Sequence, residues 1–290
     1  MNPLRVVFDT NAFSPGYFDL LEQSPLRKLC RTGHIQPIYS HVFLEETLRA
    51  YGVESRREDL VTKWLPFIVV TADRICNDFV TIWREELIQG RGPHARIFMS
   101  RRDYESFEKS LISIPLDGTW RPWMRSEIDR EIEDKKRAAQ REISKEMRKE
   151  VADWRKAACY KFKKHETKEI EEVFEREVDF SGRRFISALI QAKNPAAAAE
   201  RWSQGKAQYP FFTSFVVNMM YMARHAMTRA NEAIDLNAQA DLDLMTHLLN
   251  ADILVSNETG FLRTAFEDLW KPRRKVMFTS PQFAAFIEYL

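Results

Sequence analysis

The chain has 290 residues, enough for one large domain or two ordinary ones. At 44% hydrophobic and 30% charged residues its composition is that of a globular protein slightly rich in charge. Its 44 basic and 42 acidic residues leave a net charge of +2, which excludes a global field for polyanions and leaves only local segregation of charge.

Cys30, Cys76 and Cys159 lie far apart without metal-type spacing, and an odd, sparse set fits a reducing compartment better than a disulfide scaffold. No basic-then-apolar leader precedes the first apolar run, and no apolar stretch approaches the length of a membrane span. A cytoplasmic protein with no membrane contact is the expectation. The histidines show no HxxxH spacing, which argues against zinc. No Gly-rich loop is followed by Lys, so there is no case for a P-loop NTPase.

In chain order, Leu4 to Phe8 reads as a short buried strand that stops on Asp9-Thr10-Asn11. After Ser14-Pro15-Gly16 a helical segment runs from about Tyr17 to Cys30. Gly33 ends it, and Ile35 to Tyr39 makes a second strand. Ser40 is placed to cap a helix carrying Val42, Phe43, Glu45, Glu46 and Leu48. Pro66 introduces Phe67-Ile68-Val69-Val70, a third strand candidate. A helix follows from Asp73 to about Leu87, and Gly90-Arg91-Gly92-Pro93 breaks it.

From about Met124 to Phe162 sparse apolar residues recur mostly every four positions among Lys, Arg, Glu, Asp and Gln. This predicts one long amphipathic helix, on the order of 55 Å at about 1.5 Å per residue. Its acids nearly balance its bases, so the charged face reads as solvated rather than as an RNA surface. Trp120-Arg121-Pro122-Trp123 suits a packed hinge entering this region, or stacking on bases. The basic pairs Arg91 with Arg96, Arg101 with Arg102, Arg183 with Arg184, and Arg273 with Arg274 are scattered. Further helices are predicted at about Arg183 to Ala192, Pro195 to Gln204, and Phe211 to Ile234.

Strand logic resumes near the end. A helix from about Ala238 to Asn250 leads into strand Ile253 to Ser256, followed by Asn257-Glu258. Another helix, Gly260 to Leu269, precedes strand Lys275 to Thr279, and Pro281 opens a last helix. This alternation predicts an α/β fold: a doubly wound parallel sheet with a large all-helical insertion. The expected sheet domain is discontinuous, 1–115 and 236–290, around an insertion at 116–235.

The candidate acids are Asp9, the pair Glu45 and Glu46, the pair Asp241 and Asp243, and Glu258. Open α/β sheets bind ligands outside the carboxyl ends of their strands, where Asp9 and Glu258 fall. Within each pair only one member should face a common site, because near neighbours on a helix point apart. Carboxylates gathered from remote segments repel one another unless a cation lies among them, and a hard divalent ion is the simplest resident.

Four pieces together resemble the PIN-domain nucleases. They are Val6-Val7-Phe8-Asp9-Thr10-Asn11; Tyr39-Ser40-His41-Val42-Phe43-Leu44-Glu45-Glu46; Ala240-Asp241-Leu242 through Asn250 to Glu258; and Phe278-Thr279-Ser280-Pro281-Gln282-Phe283. The resemblance covers roughly 3–90 and 236–290. It implies a PIN-like, Mg²⁺- or Mn²⁺-dependent endoribonuclease that hydrolyses RNA phosphodiester bonds, with a toxin or defence role within its range. Asp9, Glu46 and Asp241 map to the family's three main acids and Glu258 to its fourth, as metal ligands or water-orienting groups. Thr10 or Asn11 maps to the small polar residue that orders the site. Glu258 is one methylene longer than the usual Asp, and the insertion has no counterpart in small toxin-type members. RNA is the implied substrate, with a protein inhibitor or partner and a homo-oligomer also compatible with it.

Two other readings stand beside this one. A haloacid-dehalogenase-type phosphatase also begins with a strand ending in Asp, but it needs a second Asp where Asn11 stands. A catalytically weak or inactive PIN-like scaffold would bind RNA or a protein partner through its helical insert.

Overall fold

The structure is a computed structural model that describes residues 3–49, 54–117, 167–189, 192–228 and 238–290, with 149 and 153 standing alone. The expected helix from Met124 to Phe162, apart from Lys149 and Asp153, lies outside the described residues, as do the Trp120–Trp123 segment and Cys159.

Four short strands form one parallel sheet in the order β2-β1-β3-β4. They are β1 (Leu4–Phe8), β2 (Ile35–Ile38), β3 (Ile253–Val255) and β4 (Val276–Phe278). Val6, Val7 and Phe8 of β1 are buried, as is all of β3. That is why these runs are continuously apolar rather than alternating. The register sets Val6 beside both Pro37 and Ile253, and Val255 beside both Phe8 and Phe278. The chain leaves β1 toward β2 on one side and returns to β3 on the other, so the strand order reverses beside β1. Such reversals leave a crevice at the carboxyl ends of the strands.

Helices fill the connections. Between β1 and β2 lie α1 (Tyr17–Gln23) and α2 (Leu26–Arg31); after β2 comes α3 (His41–Arg49), whose entry is fixed by the Ser40 hydroxyl accepting the Phe43 amide at 3.1 Å. α4 (Glu54–Asp59), α5 (Leu65–Thr71), α6 (Phe79–Leu87) and α7 (Arg101–Asp117) follow. Next come α8 (Thr167–Leu189), α9 (Pro195–Gln204), α10 (Pro210–Thr228) and α11 (Ala238–Thr246), which returns the chain to β3. α12 (Phe261–Leu269) joins β3 to β4, and α13 (Ser280–Ile287) closes the chain. A capping box starts α13: Thr279 accepts the Gln282 amide, and Gln282 answers onto the Thr279 amide. α1 packs against α13, whereas α10, α11 and α12 pack together. The result is an α/β fold compatible with double winding.

One expected strand is a helix. Phe67 to Val70 lies within α5, with Pro66 in its first turn. The apolar run looks continuous only in a short window. Leu60, Trp64, Leu65, Phe67, Ile68 and Thr71 are buried while Val70 is 55% exposed, which is helical spacing. Extended pairing beyond β2 comes later instead, through isolated bridges Tyr39 to Ile75 and Cys76 to Phe98.

The regular elements described within 116–235 are helices. They share a second apolar core with α6: Phe79, Ile82 and Trp83 meet Phe174, Trp202, Phe212 and Val216. α8 and α9 approach so closely that a Cβ on Gly182 would stand 2.1 Å from the Trp202 ring. Val217 and Leu249 touch both this core and the one around the sheet. Among the described residues no helix is long and apolar enough to cross a membrane.

Candidate functional site

β1 delivers Asp9 to the carboxyl end of the sheet, and β3 delivers Ser256, Asn257 and Glu258 beside it. The Asp9 amide continues the ladder by donating to the Val255 carbonyl at 2.9 Å, so the two strand ends are locked in register. Asp9 is 5% exposed. It precedes a 3₁₀ turn at Thr10–Phe13, yet its side chain makes no capping hydrogen bond there.

What the carboxylate does instead is accept the Ser256 hydroxyl on Oδ2 at 2.6 Å. The Ser256 oxygen in turn accepts the Asn11 amide at 3.2 Å and the Glu258 backbone N–H at 3.1 Å. These two donors occupy the lone pairs of the serine and direct its proton at Asp9. Asn11 is pinned from its other end, because its Oδ1 accepts the Asn257 backbone N–H at 3.0 Å. Asn257 then bonds Ser280 twice, donating to its hydroxyl and accepting its amide, both at 2.9 Å. Ser256, Asn257 and Ser280 thus form a polar shelf across the ends of β1, β3 and β4. With both ends of its amide engaged, Asn11 is a positioning residue.

The second oxygen of Asp9 is held more loosely. The Thr10 hydroxyl lies 3.4 Å from Asp9 Oδ1 and 3.2 Å from Glu46 Oε2. One hydroxyl carries one proton, so it satisfies one of the two carboxylates at a time. Glu46 reaches this position from α3, and the side chain of its neighbour Glu45 lies outside the described residues.

Electrostatics follow from this crowding. Burial raises the pKa of Asp9 above the ordinary carboxylate value. Its hydrogen bond from Ser256 pulls it down, and the nearby charge of Glu258 pushes it up again. The amides of Asn11 and Thr10 lower it further without forming a cap. Glu258 itself is exposed at the rim. Among the described residues no Lys, Arg or His forms an ion pair with Asp9.

Asp241 occupies the first turn of α11, is half-buried, and has an interaction of its own. Its helix packs against α3, the helix of Glu46, which brings the two acidic segments to neighbouring elements. For Asp243, Gln239 donates to its Oδ1 at 2.7 Å, and burial pushes its carboxyl up to about 7. The structure thus brings together Asp9, Thr10, Asn11, Glu46 and Glu258. Ser256, Asn257 and Ser280, which close the network, carry no charge signal in the sequence. Their clue is a run of small polar residues just past two neighbouring strands.

The donor set tests the implied ion. Asp9, Glu46 and Glu258 are hard oxygen donors, and their hydrogen-bonding neighbours are hydroxyls and amides. Among the described residues no three His, Cys, Asp or Glu side chains stand close enough to enclose an ion as they lie. Magnesium, however, takes one or two carboxylates and completes its shell with water and phosphate oxygens. Asp9 and Glu46, converging on one hydroxyl, fit that requirement. Comparison with family models, with curated proteins and with solved structures finds no match.

Proposed function

We propose that this protein is a metal-dependent endoribonuclease of PIN-like type, with Asp9, Glu46, Asp241 and Glu258 around its ion. The observation that carries the reading is the buried Asp9. Its carboxylate closes a central parallel strand, meets a second carboxylate across the Thr10 hydroxyl, and is repelled by a third at Glu258. A carboxylate so placed is best explained by a cation that offsets the repulsion. When bound, Mg²⁺ or Mn²⁺ supplies Lewis-acid activation of water and stabilisation of charge on a phosphate oxygen.

The protein's own groups have separable parts in this scheme. Ser256 fixes Oδ2 of Asp9, which leaves Oδ1 turned toward Glu46 and the crevice. Asn11 fixes Ser256 and, through Asn257, couples the site to the start of α13. Glu258 stands at the exposed rim, where it orients water or joins the ligand set. Asp241 approaches from α11 as the third main ligand. Single-stranded RNA is the proposed substrate, because an open rim accommodates a chain rather than a small enclosed molecule.

The test is cleavage of a labelled RNA by the full chain with Mn²⁺, Mg²⁺ or EDTA. Cleavage with either ion, none in EDTA, and loss of at least about 10²-fold in Asp9→Asn are expected. Equal turnover by wild type and Asp9→Asn would remove the site assignment. No cleavage by the wild type under any of these conditions would favour the scaffold reading.

A further inference from the structure

Away from the carboxylates, a cleft of about 290 Å³ opens between α12 and the edge strand β4. Arg263, Lys271 and Lys275 line it, with Phe266 and Met277 as its apolar wall and Glu267 as its acid. Three cations against one carboxylate leave a local charge of +2, on a chain whose total is only +2. Lys275 donates to the Ala251 carbonyl at 2.7 Å, which spends one of its three protons and orients the rest. Lys271 lies 4.0 Å from Glu267, a loose pairing between exposed groups.

The backbone adds a donor. Val276 N–H bonds Asp252 at 3.1 Å, and the Phe278 carbonyl accepts Ser256 N–H at 3.0 Å. In a parallel pair alternate residues point inward, so the amide and carbonyl of Met277 face away from β3. We infer that this cleft binds the phosphodiester backbone of single-stranded RNA at a distance from the cleavage site. The inference rests on the reading of RNA as substrate.

Two considerations favour RNA over an acidic peptide. A peptide adding to β4 would find the main-chain pair of one residue, too little to order an extended segment. A polyanion instead meets three cations and gains from counterion release. The position also suits an extended ligand. β4 is three residues long, about 10 Å at 3.3 Å per residue. The cleft lies toward its amino end and the acids lie beyond the carboxyl ends, with Asp9 two strands in from this edge, about 10 Å across, so an RNA chain of several nucleotides that turns over the strand ends spans both.

Fluorescence anisotropy of a labelled oligouridylate with the full chain in EDTA, across a salt series, tests this directly. Arg263→Gln with Lys271→Gln should weaken binding about tenfold and flatten the slope of log K against log salt by about 1.4, at roughly 0.7 per single-strand contact. Unchanged affinity and slope in the double variant, or binding of polyglutamate in place of RNA, overturns the inference. Mn²⁺-dependent cleavage of a dinucleotide too short to reach the cleft reads the carboxylate site alone. Dinucleotide cleavage together with RNA binding that ignores the double variant sinks the cleft and spares the nuclease. Cleft-dependent RNA binding without any cleavage does the reverse.

Discussion

At the scale of single residues, Asp9 carries the proposed chemistry. Burial lifts its carboxyl above the ordinary value, so the metal-free folded chain keeps this proton to a higher pH than the unfolded chain does. Between those two values the folded state binds more protons, and stability falls as pH rises. Asp9→Asn removes that penalty while still accepting the Ser256 hydroxyl. In EDTA at neutral pH the variant should melt higher than the wild type by roughly 2–4 °C, on the order of 1 kcal/mol for a chain of this size. Thermal scans with EDTA and with Mn²⁺ check this, and the wild type alone should gain stability from the ion. A lower melting temperature for the variant in EDTA would mean that the carboxylate is a structural asset. Asp9 was legible in the sequence because a carboxylate after an apolar run is conspicuous. The serine that holds it was not, since a hydroxyl becomes informative only when its partners are known.

Among the elements, α10 shows how the second core is fastened. Glu86 of α6 is 1% exposed and accepts the backbone N–H groups of Phe211 and Phe212, both at 2.8 Å. These are orphan donors in the first turn of α10, so a side chain of another helix caps it. Burial pushes the Glu86 carboxyl up to about 7, even with both amides favouring its charge. Glu86→Ala strands two buried donors and should cost about 2–4 kcal/mol, read as a fall in the urea midpoint. A loss below about 0.5 kcal/mol would show that water or relaxation replaces the cap. Sequence periodicity found α9 with the same bounds, Pro195 to Gln204. It misread α5, because Phe-Ile-Val-Val has strand propensity and the helical spacing shows only when Leu60 and Trp64 are included. Gly182 was invisible for a related reason. A glycine inside a helical pattern discloses a close approach only once the facing residue, Trp202, is placed.

At the scale of the whole molecule, the two ends of the chain meet in one sheet, with β1 paired to both β2 and β3. This was legible because each strand is a short, largely apolar run followed by a polar stop. It follows that Asp9 and Glu258, 249 positions apart in the chain, come close enough for their charges to interact. The residue pattern left Glu45 and Glu46 open, the resemblance singled out Glu46, and the Thr10 hydroxyl lies 3.2 Å from the Glu46 carboxylate. Asp241 was read from its place before β3. Helical phase alone could not tell whether it or Asp243 turns inward. Calorimetric titration of the full chain with Mn²⁺, wild type beside Asp9→Asn, tests most directly whether these remote acids form one cation site. Saturable binding of one or two ions by the wild type, lost or weakened at least about tenfold in the variant, is the expected result. Binding of equal strength in both proteins, or in neither, would contradict it.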